Sequence, residues 1–294
     1  MLLKLLTLTA FASAYKPVLV LHGITGDAAQ YENFVADLEA LHPGTNATAL
    51  AVFEDIPGSL PNLNFQVSRI ASDISTLTSS DPSLYSEGFH LVCHSQGALI
   101  CRCLTEYMDG GKINTLVSMA GPQLGVYDDA FFSFFPSRLG ELTLEEIYRL
   151  AYTPAFQKSL SVANMWSDPN HVEEYIKGND FLPKFNGLVS HDDKARFKDN
   201  FLSLTKAVFT VGSQGSETFD GGIGPWESGV FSYYDDKGGF VDMREQEVYK
   251  EDTFGLRTMD ERGDLEIVVV DGVEHNEWFN NKEVYVKYVF PHLD

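Results

Sequence analysis

The run Phe89-His90-Leu91-Val92-Cys93-His94-Ser95-Gln96-Gly97-Ala98-Leu99 constrains the fold of this 294-residue chain more than any other segment. An apolar, strand-like stretch feeds a serine, a glycine stands two residues later, and helix-forming residues follow. That layout is a nucleophile elbow, a tight strand-to-helix turn that lifts a serine hydroxyl over the edge of a sheet. Residues two before and two after the serine face each other across the turn, so both must be small. Gly97 satisfies this. The other position holds Cys93 where glycine is usual, so the G-x-S-x-G pattern is degenerate at one end.

An elbow needs a parallel sheet around it, and the hydrophobic pattern supplies one. Residues 17–22 form a near-continuous apolar run, as in a parallel strand covered on both faces. Residues 50–53, 89–93, 115–120, 206–211 and 265–270 read as further strands. Between them, residues 29–41 and 65–77 carry helical spacing, with Val67, Ile70, Ile74 and Leu77 on one stripe, and residues 96–108 are the helix that follows the elbow. A helix from Lys282 closes the chain. This alternation predicts an α/β protein with a mostly parallel central sheet flanked by helices. From Gln123 to about Asn200 no strand is evident. Residues 142–152 and 171–177 read as short helices, so a mainly helical insertion at about 123–200 is expected to cover the site within a single domain of residues 15–294. The length is enough for such a domain and its core.

Composition excludes some partners. Acidic residues number 42 against 21 basic, a formal charge of −21. Nucleic acid and anionic membrane surfaces both require a basic face, so neither is expected as a partner. The acidity serves solubility, and it also suits an acidic compartment in which some carboxylates protonate. Residues 1–14 read as a signal peptide, with Lys4 in a leucine-rich run and Ala12-Ser13-Ala14 as a small-x-small cleavage site. Their apolar part is shorter than the roughly 20 residues of a membrane helix, and no later segment is apolar enough to span a bilayer. Asn46-Ala47-Thr48 is a glycosylation sequon.

Three cysteines are present, Cys93, Cys101 and Cys103. Cys101 and Cys103 are two apart on a helix and point away from each other. Cys93 and Cys101 lie on either side of the elbow, so they form the candidate disulfide, with Cys103 left over. The alternative is three buried thiols acting as small hydrophobes. No cysteine or histidine spacing suggests a metal, and none is expected; nor is a cofactor.

A serine hydroxyl needs an imidazole to take its proton and a carboxylate to orient that imidazole. In α/β-hydrolases the chain order is Ser, acid, His, with the last two on loops after late strands. Of the eight histidines, only His275 sits just past the last strand, in a glycine-bearing loop. His22 and His94 flank the serine, His171 and His191 lie in the insertion, and His292 is near the C-terminus. For the acid, Glu217, Asp220, Asp235 and Asp236 all follow the strand ending at Val211. Asp220 precedes Gly221-Gly222, which permits an unusual turn. The oxyanion donors are expected to be the backbone N–H of Gln96, just after the serine, and that of Ile24 in the His22-Gly23-Ile24 loop.

Several segments together resemble the palmitoyl-protein thioesterase family, in particular its second, lysosomal thioesterase branch. They are Val20-Leu21-His22-Gly23, Cys93-His94-Ser95-Gln96-Gly97, Gly121-Pro122-Gln123-Leu124-Gly125, Asp220-Gly221-Gly222-Ile223-Gly224-Pro225-Trp226, Asp252-Thr253-Phe254-Gly255-Leu256 and Gly272 to Trp278. The resemblance spans nearly the whole chain after Lys16. It implies a lysosomal serine thioesterase of α/β-hydrolase fold that cleaves long-chain fatty acyl thioesters through an acyl-enzyme. It places the nucleophile at Ser95, the acid at Asp220, the base at His275 and the oxyanion donors at Ile24 and Gln96. The Cys93–Cys101 pair resembles a family disulfide. The branch's further cysteine pairs have no counterpart here, where Ala151 and Val162 stand in the insertion. The aromatic run with Phe131, Phe132, Phe134 and Phe135 either lines an acyl groove or packs the insertion onto the core. An oxygen-ester lipase or carboxylesterase would use the same triad, and the sequence leaves the acyl donor and oligomeric state open.

Overall fold

In the computed structural model, residues 15–110, 112–128, 143–213, 224–235 and 239–294 are described. Six parallel strands build the central sheet: β1 (Val18–Leu21), β2 (Ala47–Ala49), β3 (Phe89–His94), β4 (Ile113–Met119), β5 (Lys206–Gly212) and, last in the chain, β8 (Leu265–Val270). Their order across the sheet is β2-β1-β3-β4-β5-β8. A separate two-stranded hairpin pairs β6 (Tyr233–Tyr234) with β7 (Phe240–Val241). The longer helices are α1 (Glu32–Leu41), α2 (Leu63–Ser80), α3 (Gln96–Tyr107), α4 (Leu144–Ala151), α5 (Val172–Gly178), α6 (Lys194–Leu202), α7 (Leu256–Glu261) and α8 (Lys282–Tyr288).

Successive strand residues point to opposite faces, and in the four inner strands β1, β3, β4 and β5 both faces are buried. Leu19, Leu21, Leu91, Leu116 and Phe209 enter one core, where Val67, Ile70 and Ile74 of α2 and Leu99 of α3 meet them. Val18, Val20, Val92, Val117 and Val208 enter the other, against Phe34 and Leu38 of α1 and Tyr285 of α8. This two-sided burial is why the strands read as continuous apolar runs instead of alternating ones.

One strand lies elsewhere than the pattern suggests. The second strand is Ala47–Ala49, with Val18 opposite Ala47 in register, and residues 50–53 leave the sheet as a loop. The strand's own residues are small and half-buried, so they carry little hydrophobic signal. The apolar Leu50, Val52 and Phe53 pack on the core from the loop instead. Phe53 takes a left-handed φ of 53°, which ends any strand there. The first helical segment is likewise divided, a 3-10 turn at Ala28–Tyr31 leading into α1. Asp27 caps that turn by accepting from the Gln30 N–H at 3.0 Å.

Between β4 and β5 the described residues contribute no strand to the sheet; they form α4 to α6 and several one-turn helices. α4 is held by a capping box in which Thr143 and Glu146 satisfy each other's backbone N–H groups. Trp166, Phe181, Phe185, Phe197 and Phe201 from this segment are buried in the same core as α3. No helix among the described residues is long and apolar enough to cross a membrane.

Candidate active site

At the C-terminal end of β3 the chain turns sharply. Ser95 adopts φ 54° and ψ −127°, a conformation that costs on the order of 1–3 kcal/mol for a residue with a side chain. Backbone bonds hold it there: the Ser95 N–H donates to Met119 O at 2.9 Å, and Ser95 O accepts from Ala98 N at 2.9 Å. The glycine two residues later is obligatory, since a Cβ on Gly97 would lie 2.2 Å from His22 O and 2.9 Å from Leu21 O. Gly23 is needed for the same reason on the facing loop, where a Cβ would stand 2.8 Å from the Ser95 Cβ and 3.4 Å from its Oγ. The β1 loop and the serine hydroxyl are therefore neighbours.

Cys93 and Cys101 are joined by a disulfide, with Cα atoms 6.4 Å apart, which ties β3 to α3 across the elbow. Cys103 is free and buried. Burial pushes its thiol well above the ordinary range.

His275 arrives on the loop after β8, where Gly272 takes a left-handed φ of 76°. This loop sits hard against the end of β5: a Cβ on Gly212 would come 1.8 Å from Val273 O. It is also fastened to the elbow. His94 Nε2 is 2.8 Å from the backbone O of His275, and a carbonyl can only accept, so Nε2 carries the proton. The two imidazole rings lie 4.6 Å apart and Phe279 packs on His94 at 4.9 Å. Burial lowers His275 well below an ordinary histidine, and the neighbouring His94 adds to the effect. Burial also holds His94 down, to about 4, against the opposing pull of its bond to the His275 carbonyl.

The Gln96 N–H opens α3 and has no acceptor within the helix. Neither it nor the Ile24 N–H donates to a protein acceptor among the described residues. Ser95, His275, Ile24 and Gln96 thus lie on three loops at one end of the sheet, the end at which ligands of open α/β sheets bind.

Asp220 and Glu217, and with them Phe131, Phe132, Phe134 and Phe135, lie outside the described residues, as does Asp236. Asp235 is engaged elsewhere, its Oδ1 accepting from Gly239 N at 2.8 Å in the β6–β7 turn. Of the other histidines, His171 pairs with Asp168 at 3.0 Å and His292 faces Lys206 and Glu266. His22 flanks the site with Nε2 2.8 Å from Val52 O. Asn46 is exposed at the start of edge strand β2. Among the described residues no three His, Cys, Asp or Glu side chains are grouped to hold a metal.

The family model for palmitoyl protein thioesterase matches residues 17–275. The chain belongs to this family. Lysosomal thioesterase PPT2 of Homo sapiens is 33% identical over 296 residues, covering 99% of this chain and 93% of that protein. The Rattus norvegicus protein of the same name is 33% identical over 282 residues, covering 95% and 88%. The Drosophila melanogaster lysosomal thioesterase PPT2 homolog is 30% identical, covering 96% and 93%. Among solved structures, the mature Bacillus licheniformis lipase BlEst2 aligns with a TM-score of 0.53 at 14% identity, over 96% of this chain and 93% of that one. That likeness concerns the α/β-hydrolase fold.

As a member of the palmitoyl protein thioesterase family, the chain is a thioester hydrolase. Two of the segments that carry the family resemblance meet inside this thioesterase at a residue that sequence reasoning missed. Arg102 of α3 is fully buried. It pairs with Glu106 at 2.7 Å and donates to Gln123 Oε1 at 2.9 Å and to Asn186 Oδ1 at 2.9 Å. Its guanidinium lies 5.1 Å from the centre of the Phe254 ring. Gln123 passes the link on to Ser118 of β4 at 2.9 Å, and Thr253 Oγ1 donates to Asn186 O at 2.6 Å. Burial pushes the Glu106 carboxyl above its ordinary range, against the opposing pull of Arg102. The elbow helix, the loop after β4, the helical segment and the Asp252-Thr253-Phe254-Gly255-Leu256 turn are thus pinned to one cation. An Arg and a Glu four apart were visible in the sequence, but such a pair ordinarily marks a solvated helix face. His94 was missed similarly, being set aside as a neighbour of the serine.

Proposed function

We propose that this thioesterase cleaves long-chain fatty acyl thioesters, such as palmitoyl-CoA or an S-acylated peptide, through an acyl-enzyme on Ser95. The observation that carries this reading is the strained Ser95 at the head of α3 with the His275 loop fastened to the adjacent His94. His275 takes the Ser95 proton while the oxygen attacks the thioester carbonyl. The Ile24 and Gln96 N–H groups stabilise the oxyanion. The thiol leaves with the proton from His275. Water, activated by the same imidazole, then releases the acid. Asp220 is assigned as the carboxylate that orients His275; it follows β5, whose end packs on the His275 loop.

The helical segment within 123–200 serves as the cover of the site, with the Phe131–Phe135 run as an acyl-chain lining. Residues 1–14 are a secretory signal and Asn46 a glycosylation site. The names of the relatives support a lysosomal or equivalent acidic location, and the net charge of −21 agrees with it.

The test compares hydrolysis of palmitoyl-CoA and p-nitrophenyl palmitate, alongside labelling by a fluorophosphonate probe. Preferred turnover of the thioester, with labelling abolished in Ser95→Ala, is expected. Strong preference for the oxygen ester would make the protein a lipase or carboxylesterase on the same triad. Loss of activity in Glu217→Gln but not in Asp220→Asn would move the acid to Glu217.

A further inference from the structure

The two N–H donors assigned to the oxyanion belong to separate elements: Ile24 to the loop after β1 and Gln96 to the start of α3. Electrostatic stabilisation depends on both meeting one oxygen at about 2.7–3.1 Å, so the gap between the two elements must be fixed. Neither element fixes it alone. The β1 loop carries Thr25 at a left-handed φ of 63° and faces a second loop with Phe53 at 53° and Asp55 at 57°. Backbone in that region is held only by contacts that over-determine it.

One residue makes those contacts on both sides. Ser59 is buried, with 1% of its surface exposed. Its Oγ accepts from the Thr25 N–H at 2.9 Å, one residue beyond Ile24, and donates to Asp55 O at 2.6 Å. Asp55 in turn donates its N–H to Gly26 O at 2.8 Å. The carbonyl of Ser59 accepts from Gln96 Nε2 at 2.9 Å, from Gln66 Nε2 at 3.0 Å and from Ser161 Oγ at 3.3 Å. The side chain of Ser59 therefore holds the loop of one donor, and its main chain holds the side chain of the residue that supplies the other.

The geometry points to Ser59 as a positioning residue that sets the spacing of the two oxyanion donors. It touches no reacting atom and acts through Thr25 and Gln96. This rests on the acyl-transfer reading above.

The experiment is steady-state hydrolysis of palmitoyl-CoA by Ser59→Ala, with inhibition by a palmityl trifluoromethyl ketone, whose hemiketal with Ser95 presents the oxyanion. Removing one donor outright commonly costs about 10²–10³ in kcat; displacing one is expected to lower kcat by about 10- to 100-fold. KM should stay within about twofold and the inhibition constant should rise by the same factor as kcat falls. Ser161→Ala, which touches the Ser59 carbonyl from the helical segment only, is expected to leave both at wild-type values. If Ser59→Ala does not fold, Gln96→Met removes the other arm and carries the same expectation. Unchanged kcat and inhibition in a folded variant overturns the inference. So does a kcat loss that follows only the fall in melting temperature while the inhibition constant stays put. A wild-type protein that leaves palmitoyl-CoA intact overturns the acyl-transfer reading instead.

Discussion

The imidazole of His94 donates from Nε2 to the backbone carbonyl of His275 at 2.8 Å, joining the residue before the elbow serine to the residue assigned as its base. Serine and base sit on loops 180 positions apart in the chain, and their approach is set by this bond and by the packing of Phe279 on the same ring. In His94→Phe the ring packing survives and the donor is lost. A buried carbonyl left without its donor costs about 1–3 kcal/mol. A base displaced by about 1 Å costs on the order of 10²-fold in rate. The expected outcome is a kcat/KM at least tenfold lower and slower fluorophosphonate labelling, with a modest loss in urea unfolding. Wild-type kcat/KM would show the clasp to be dispensable.

The depressed pKa of His275 sets a direction for the pH profile. A general base works unprotonated, so activity is lost as pH falls through the pKa of the free enzyme. Burial and His94 hold that value below the usual histidine value of about 6.5. Hydrolysis should therefore persist well into the acidic range, with the acid limb of kcat/KM below pH 6.5. A limb at or above that value would contradict the burial argument.

Stability should run the other way on acidification. His90 is buried, and neither ring nitrogen has a partner among the described residues. Burial lowers its pKa to about 4. The folded value lies below the unfolded one, so between about pH 6.5 and 4 the unfolded chain binds a proton that the native ring refuses. Stability then falls with pH, by up to about 3 kcal/mol for such a group. His90→Leu keeps the volume and removes the titration. It should flatten the decline in melting temperature between pH 7 and pH 4.5 relative to wild type.

The buried Arg102–Glu106 pair gives a contrast between single and double substitutions. Arg102→Met leaves Glu106 buried without its cation and strips Gln123 and Asn186 of a donor. Breaking one side of such a pair costs about 3–5 kcal/mol. Arg102→Met combined with Glu106→Leu removes both charges and should recover a large part of that loss in chemical denaturation. If the two losses simply add, the pair is not a coupled unit.

Cys93→Ala with Cys101→Ala opens a short loop. Chain entropy assigns about 2.5 kcal/mol to closing a loop between residues eight positions apart, so the midpoint of urea unfolding should drop under non-reducing conditions. Under reducing conditions the wild type should approach the variant. Cys103→Ala, deep in the same core, should differ from wild type only by the loss of a small side chain.

Much of this protein was readable before folding. The parallel sheet followed from apolar runs that two-sided burial demands, as in Val18–Leu21 and Phe89–His94, helix α2 from its apolar stripe, and helix α3 from its place after the elbow serine. The elbow was readable because the turn at Ser95 admits only glycine at position 97. The position of His275 on the loop just past the last strand was readable too, as the structure places it there. The β2 strand was misplaced because alanine and threonine at a half-buried edge leave a weak trace, while Leu50, Val52 and Phe53 beside them leave a strong one.

Local chemistry along the chain determined which residues can turn, stack or react: a serine between a strand and a helix, a glycine where no Cβ fits, and a histidine on a late loop. Tertiary structure alone decided which of them meet. His94 gains its meaning from a carbonyl 181 residues away, Arg102 from Gln123, Asn186 and Phe254, and Ser59 from Thr25 and Gln96. These are contacts between polar groups brought together by the burial of apolar neighbours. The pattern that drives burial is periodic and visible in sequence, whereas the hydrogen bonds formed inside it depend on distances that only the packed chain defines.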